Sequence, residues 1–92
     1  MSVTVYFTSV TGSLQTKNNQ TKIIQLLESK KIQFETVDIS QSTDLRTDMR
    51  EKCGNPKALP PQIFNGDAYC GDFAMFEEAV EMETVEEFLK LK

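Results

Sequence analysis

Three groups of residues in this chain have the types and spacing to do chemistry. Two thiols, Cys53 and Cys70, could act as nucleophiles or be modified, but no CxxC spacing joins them. A cluster of hydroxyls around one glycine, Ser9-Val10-Thr11-Gly12-Ser13, follows a strand-like run and precedes a helix-like one. That is where α/β proteins expose helix N–H groups to ligands. From Asp67 to Glu87 there are eight acidic residues and no basic one, a stretch that is either solvated or meets a basic partner. Histidine is absent, which removes the commonest general base and the commonest transition-metal ligand.

Each group has a plain structural reading. The hydroxyl turn lacks G-x-x-x-x-G-K-[ST], so it is no nucleotide P-loop. Thr11 or Ser13 can cap the following helix, and Gly12 can supply a positive φ. Cys53 closes an apolar helical stripe with Leu45 and Met49, which suggests a small buried hydrophobe. Cys70 lies just before Asp72 at an expected helix start, where a thiol pKa would fall, making it the better candidate for reactivity. Leu59-Pro60-Pro61-Gln62 suggests an SH3 ligand. However, Pro56, Pro60 and Pro61 give no PxxP spacing, and the run is better read as a loop turning into a strand.

The elements that must position these groups alternate. Val3, Val5 and Phe7 mark a first strand over residues 3–8. A helix ends near Lys30 with Ile23, Ile24 and Leu27 on one face, its polar first half poor in helix formers. A second strand spans residues 32–38. A second helix carries the Leu45, Met49 and Cys53 stripe, with Ser40 or Ser42 as cap and Gly54 past its end. Residues 62–64 and 67–70 flank the hairpin signal Asn65-Gly66, and Cys70-Gly71-Asp72 reads as a turn. Asp72 can cap a helix through Phe73, Phe76, Ala79 and Val80, and Thr84-Val85-Glu86-Glu87 fits a capping box for a short last helix. The order β-α-β-α-β-β-α plus a short C-terminal helix implies one domain over residues 1–92. It is an α/β, thioredoxin-like, four-stranded mixed sheet flanked by helices, with its first two strands parallel.

At 92 residues and a net charge of −4, no nucleic-acid partner is expected, since phosphate binding needs a basic face. No run approaches the ~20 apolar residues that span a bilayer, so no membrane insertion is expected. The N-terminus shows no leader pattern, and the expected location is the cytoplasm, with the nucleus also open to the chain.

The order of elements, the run Pro61-Gln62-Ile63-Phe64-Asn65-Gly66 and the Cys70-Gly71-Asp72 segment resemble glutaredoxins. The chain resembles still more closely the SH3-domain-binding glutamic-acid-rich-like family, in particular its short members. The shared runs are Thr8-Ser9-Val10-Thr11-Gly12-Ser13, Val37-Asp38-Ile39-Ser40-Gln41, Gly54-Asn55-Pro56-Lys57-Ala58, Pro60-Pro61-Gln62-Ile63 and Glu87-Phe88-Leu89-Lys90-Leu91. The resemblance to the short members implies a form without the long glutamate-rich tail of larger relatives.

Where glutaredoxins carry Cys-Pro-Tyr-Cys, this chain reads Thr11-Gly12-Ser13-Leu14. Disulfide exchange needs a thiolate, and a hydroxyl cannot supply one. The resemblance further implies a cis peptide before Pro61, facing the hydroxyl turn. It also implies a ligand face made of Ser9, Thr11, Gly12, Ser13, Pro61, Gln62, Cys70, Gly71 and Asp72. Phe73 stands where an acidic residue usually meets glutathione, so glutathione is expected to bind weakly if it binds. No cofactor or metal is expected. The expected function is that of a non-catalytic binding or adaptor protein. Its partners would be proteins: a glutaredoxin whose activity it modulates, or signalling and cytoskeletal proteins. The rival is a glutathione-dependent thiol oxidoreductase acting through Cys70.

Overall fold

In a computed structural model, residues 3–91 are described. Four strands form one mixed sheet: β1 (Val3–Phe7), β2 (Phe34–Asp38), β3 (Gln62–Asn65) and β4 (Ala68–Asp72), in the order β2-β1-β3-β4. β1 pairs parallel with β2, while β3 is antiparallel to both β1 and β4. The helices are α1 (Leu14–Ser29), α2 (Thr43–Cys53), α3 (Phe73–Glu81) and α4 (Val85–Phe88), with a 3₁₀ turn at Ile39–Gln41.

Strand periodicity divides the core in two. Val3 and Val5 of β1 and Ile63 of β3 point to one face, where they pack with Ile23 and Leu27 of α1, Phe76 and Ala79 of α3, Val85 and Leu89. Tyr6 and Phe64 point to the other face and pack with Ile39 and Met49 of α2. The Tyr6, Phe64 and Tyr69 rings meet in series, with centroids 5.1 and 5.2 Å apart. The sheet is thus covered by α1 and α3 on one side and by α2 on the other, the thioredoxin-like arrangement that alternation predicted.

The helix ends show which local signals acted. Ser13 caps α1, its Oγ accepting the Thr16 N–H at 3.2 Å. Of the two candidates at α2, Ser42 does the capping by accepting the Asp44 N–H at 3.1 Å, and Gly54 closes the helix at φ 72°. Asp72 caps α3 through the Met75 N–H at 3.0 Å. The capping box expected at Thr84 does not form: Thr84 sits at φ −119°, ψ 30° and makes no side-chain cap bond. Only the Thr84 carbonyl takes part, accepting the Phe88 N–H in this single-turn helix.

Two further expectations are corrected. Gly71 and Asp72 do not form a turn. They belong to β4 and pair with Ile63 and Gln62, after a shift of register that leaves Cys70 as an extra, bulged residue. Gly12 does not adopt a positive φ. The turn is closed instead by the Thr11 hydroxyl, which accepts the Ser13 N–H at 3.1 Å, so no left-handed residue is required.

The Pro60–Pro61 peptide bond is cis. Leu59 is exposed, Pro60 half-buried and Pro61 buried directly before β3. The segment is therefore a loop entering the sheet.

Candidate functional site

β1 ends at Phe7, and the next residue needs partners off the ladder. Gln20, buried on α1, supplies both. Its Oε1 accepts the Thr8 N–H at 2.9 Å and its Nε2 donates to the Thr8 carbonyl at 3.1 Å. The Thr8 hydroxyl in turn donates to the Val10 carbonyl at 3.0 Å. On the other flank, Asp38 at the end of β2 gathers the neighbouring loops. Its Oδ1 accepts the Ser9 N–H at 3.1 Å, the Ser40 N–H at 3.0 Å and the Ser40 hydroxyl at 2.7 Å. Hydrogen bonds from Ser9 and Ser40 outweigh desolvation and hold this carboxyl well below the usual carboxylate range. The hydroxyl turn is therefore a fixed feature, clamped by Gln20 from one side and Asp38 from the other.

Beside it lies a groove of about 350 Å³. Thr8, Val10, Thr11, Ser13 and Thr16 form one wall. Leu59 and Pro60, with Ile39, Arg46 and Arg50, form the rest. Arg50 steadies the far wall, its Nε–H donating to the Ala58 carbonyl at 3.1 Å. The rim is apolar and exposed: Val10 is 76% exposed and Leu59 69%. An isolated exposed aliphatic residue is ordinary, but two facing one concavity make a surface suited to contact.

The residues of the expected ligand face are distributed unevenly. Thr11 and Ser13 line the groove, and the loop before β3 reaches it through Leu59 and Pro60. Gly12 is exposed between them, with open space around the position a Cβ would take. Ser9 faces the Asp38–Ser40 cluster. Pro61 is buried behind Pro60. The Gln62 side chain is turned inward, donating to the Leu59 carbonyl at 2.7 Å and accepting the Tyr69 hydroxyl at 2.7 Å. It braces the loop from behind.

Cys70, Gly71 and Asp72 are not in the groove lining. Cys70 packs in the core with Val5 and Ile63, and burial pushes its thiol up despite the opposing charge of Lys90. The lowered pKa expected from a nearby helix start does not occur, because the bulge turns the sulfur into the apolar face. Gly71 is required by packing: at φ 152° a Cβ would sit 2.8 Å from Phe88 Cε1 and 3.0 Å from Met75 Sδ. Asp72 is occupied as the α3 cap. Cys53 is half-buried against the second cluster, and burial is the main cause raising its thiol, with Tyr69 hydrogen bonding in the other direction. Desolvation likewise pushes the Tyr69 phenol up to about 12.

Sequence reasoning missed Gln20, Asp38, Arg46 and Arg50. Gln20 lies in a polar helical stretch, and its partner is 12 residues away. Arg46 and Arg50 are one turn apart on α2, a spacing that places them on one face without saying which loop that face meets.

Comparison with known proteins gives a family and a fold. A profile described as "SH3-binding, glutamic acid-rich protein" matches residues 1–92. A Drosophila melanogaster protein, "SH3 domain-binding glutamic acid-rich protein homolog", is 35% identical over 103 residues that cover 99% of this chain and 65% of the relative. The chain thus spans just under two thirds of that relative's length. Among solved structures, the C. albicans actin interacting protein Aip5 superposes with a TM-score of 0.79 at 20% identity, covering 99% of this chain and 90% of that one. A buckwheat glutaredoxin–glutathione complex superposes with a TM-score of 0.70 at 13% identity, covering 96% and 76%. At these identities the structural matches show a shared glutaredoxin-like fold.

Proposed function

From its membership of the SH3-binding, glutamic acid-rich protein family, whose profile matches the chain from end to end, we propose that this protein is a glutaredoxin-like module that binds other proteins and does not exchange disulfides. The observation that carries the reading is the groove itself. The concavity beside the first helix is intact and clamped, yet its wall presents Thr11 and Ser13 hydroxyls, and both thiols lie outside its lining. A hydroxyl cannot attack a disulfide sulfur, but hydroxyls and an apolar rim can hold a partner.

The binding surface is the hydroxyl turn with its clamps, the Leu59–Pro60 loop and the exposed Val10 and Leu59. Thr11 and Ser13 contact the partner directly. Pro61 and Gln62 hold the loop in place, and Ser9 with Asp38 holds the turn. Cys70 and Gly71 support the sheet beneath. Because structural neighbours described as actin-interacting share this fold, actin is the first purified partner to test, ahead of a glutaredoxin.

A photo-crosslinker replacing Val10 or Leu59 tests the surface. The reading expects discrete protein adducts from both positions and none from the same group at exposed Glu35 on β2. Equal labelling from all three positions, or none from any, overturns it.

A further inference from the structure

The chain carries net charge −4, eight lysines and only two arginines, and both arginines line the groove. No acidic residue lines it. The acidic stretch 67–87 contributes nothing to its wall, so the concavity is a cationic island on an anionic protein. Arginine is the side chain suited to planar, two-point pairing with carboxylates, whereas lysine offers a point charge.

Arg50 has its Nε–H committed to Ala58, which fixes the guanidinium against the wall. Arg46 is exposed and has no hydrogen bond or ion pair among the described residues. The two are four residues apart on α2, about 6 Å along the helix axis at roughly 1.5 Å per residue. Side chains two apart on an extended chain point the same way at a spacing of about 6.6 Å. The opposite wall offers the Thr11 and Thr16 hydroxyls as further partners for oxygen, and Val10 and Leu59 offer apolar contact at the rim.

We propose that this groove takes an extended acidic segment of a partner protein, of the pattern Glu-x-Glu, with one side-chain carboxylate on Arg46 and the next on Arg50. A chain-end carboxylate would engage only one of the two guanidiniums. Two arginines one helical turn apart match two carboxylates on alternate residues, with the rim covering an apolar residue beside them. The inference rests on the reading of the groove as a protein-binding surface, and goes further by assigning the charge and spacing of what enters it.

The test uses the full chain and three fluorescein-labelled ten-residue peptides that carry Glu-x-Glu, Gln-x-Gln or Lys-x-Lys at the same positions. Binding is read by anisotropy, and its place by amide shifts in isotopically labelled protein. The Glu-x-Glu peptide should bind and shift Thr11, Ser13, Thr16 and Leu59. Arg46→Glu, a surface change whose fold circular dichroism verifies, should weaken it at least tenfold. Arg46→Lys should recover only part of the loss, and added salt should weaken the wild-type complex.

If the Gln-x-Gln or Lys-x-Lys peptide bound the same amides as tightly as Glu-x-Glu, the acidic assignment would be overturned and the groove would still stand as a peptide site. Shifts confined to other surfaces would overturn both readings. Millimolar glutathione that filled the same amides and excluded the acidic peptide would assign the groove to the tripeptide instead.

Discussion

Replacing Gln20 by Leu removes the clamp on the hydroxyl turn while nearly preserving side-chain volume. Gln20 is 7% exposed and gives Thr8 both its backbone hydrogen bonds, to the N–H at 2.9 Å and to the carbonyl at 3.1 Å. Thr8 itself is 8% exposed, so water cannot simply take over. A buried backbone group left without a partner costs about 1–3 kcal/mol, and two such groups about 2–6 kcal/mol. Burying leucine in place of an amide returns about 1–2 kcal/mol of transfer free energy. The net loss is centred on about 2.5 kcal/mol, equivalent to a Tm drop of about 10–20 °C for a domain this size. Thermal unfolding followed by circular dichroism reads this drop. Hydrogen exchange at the Thr8 amide reads the loss of the clamp itself, and should change from protected to fast. A Tm within about 4 °C of wild type with the Thr8 amide still protected would refute the claim that Gln20 anchors the end of β1.

Gly71→Ala must place a methyl 2.8 Å from Phe88 Cε1 at a φ of 152°, so strain and overpacking together should cost about 2–4 kcal/mol in urea unfolding. A loss below about 1 kcal/mol would remove the packing account of this glycine. Asp38 has its folded pKa lowered by Ser9 and Ser40, below the ordinary value of the unfolded chain. Its contribution is therefore present above about pH 4 and is lost as pH falls toward the folded value. Asp38→Asn should melt below wild type at pH 7, with the gap closing on acidification; a gap that stays constant from pH 7 to pH 2 would contradict the linkage. Burial raises the Cys70 thiol, so iodoacetamide at pH 8 should alkylate it far more slowly in the folded protein than in urea. Equal rates would show an accessible thiolate.

Local signals in the sequence carried most of the fold. Alternation in Val3-Thr4-Val5, the short run Gln62-Ile63-Phe64 between the prolines and the Asn65-Gly66 turn, the Asp72 cap and Gly54 each depend on neighbours within a few residues, so each could be read directly. Where several side chains could do one job, only packing decides. Ser42 rather than Ser40 caps α2 because Asp38 has already taken Ser40 into the 3₁₀ turn. The β4 bulge was invisible for a similar reason: it is a shift in the pairing of β4 with β3 between Ile63 and Phe64, which the residue pattern of neither strand announces. That bulge reverses the reading of Cys70, from a thiol at a helix mouth to a thiol in the core.

The candidate site was half legible. Thr11, Ser13 and the Pro60–Pro61 loop could be placed because the turn and the resemblance point to them. The Asp38–Ser9 bond spans 29 residues, and the meeting of Arg46 and Arg50 with the hydroxyl turn depends on the crossover of α2 beneath the sheet. Both follow from topology and from no local pattern.

The central claim is that this glutaredoxin-like scaffold binds without exchanging sulfur. The most direct measurement is the rate at which purified protein reduces a glutathionylated peptide in the presence of glutathione, set beside a Cys53→Ser/Cys70→Ser double variant. The account predicts the same background rate for both proteins. Wild-type turnover at enzymatic speed that disappears in the double variant would contradict it.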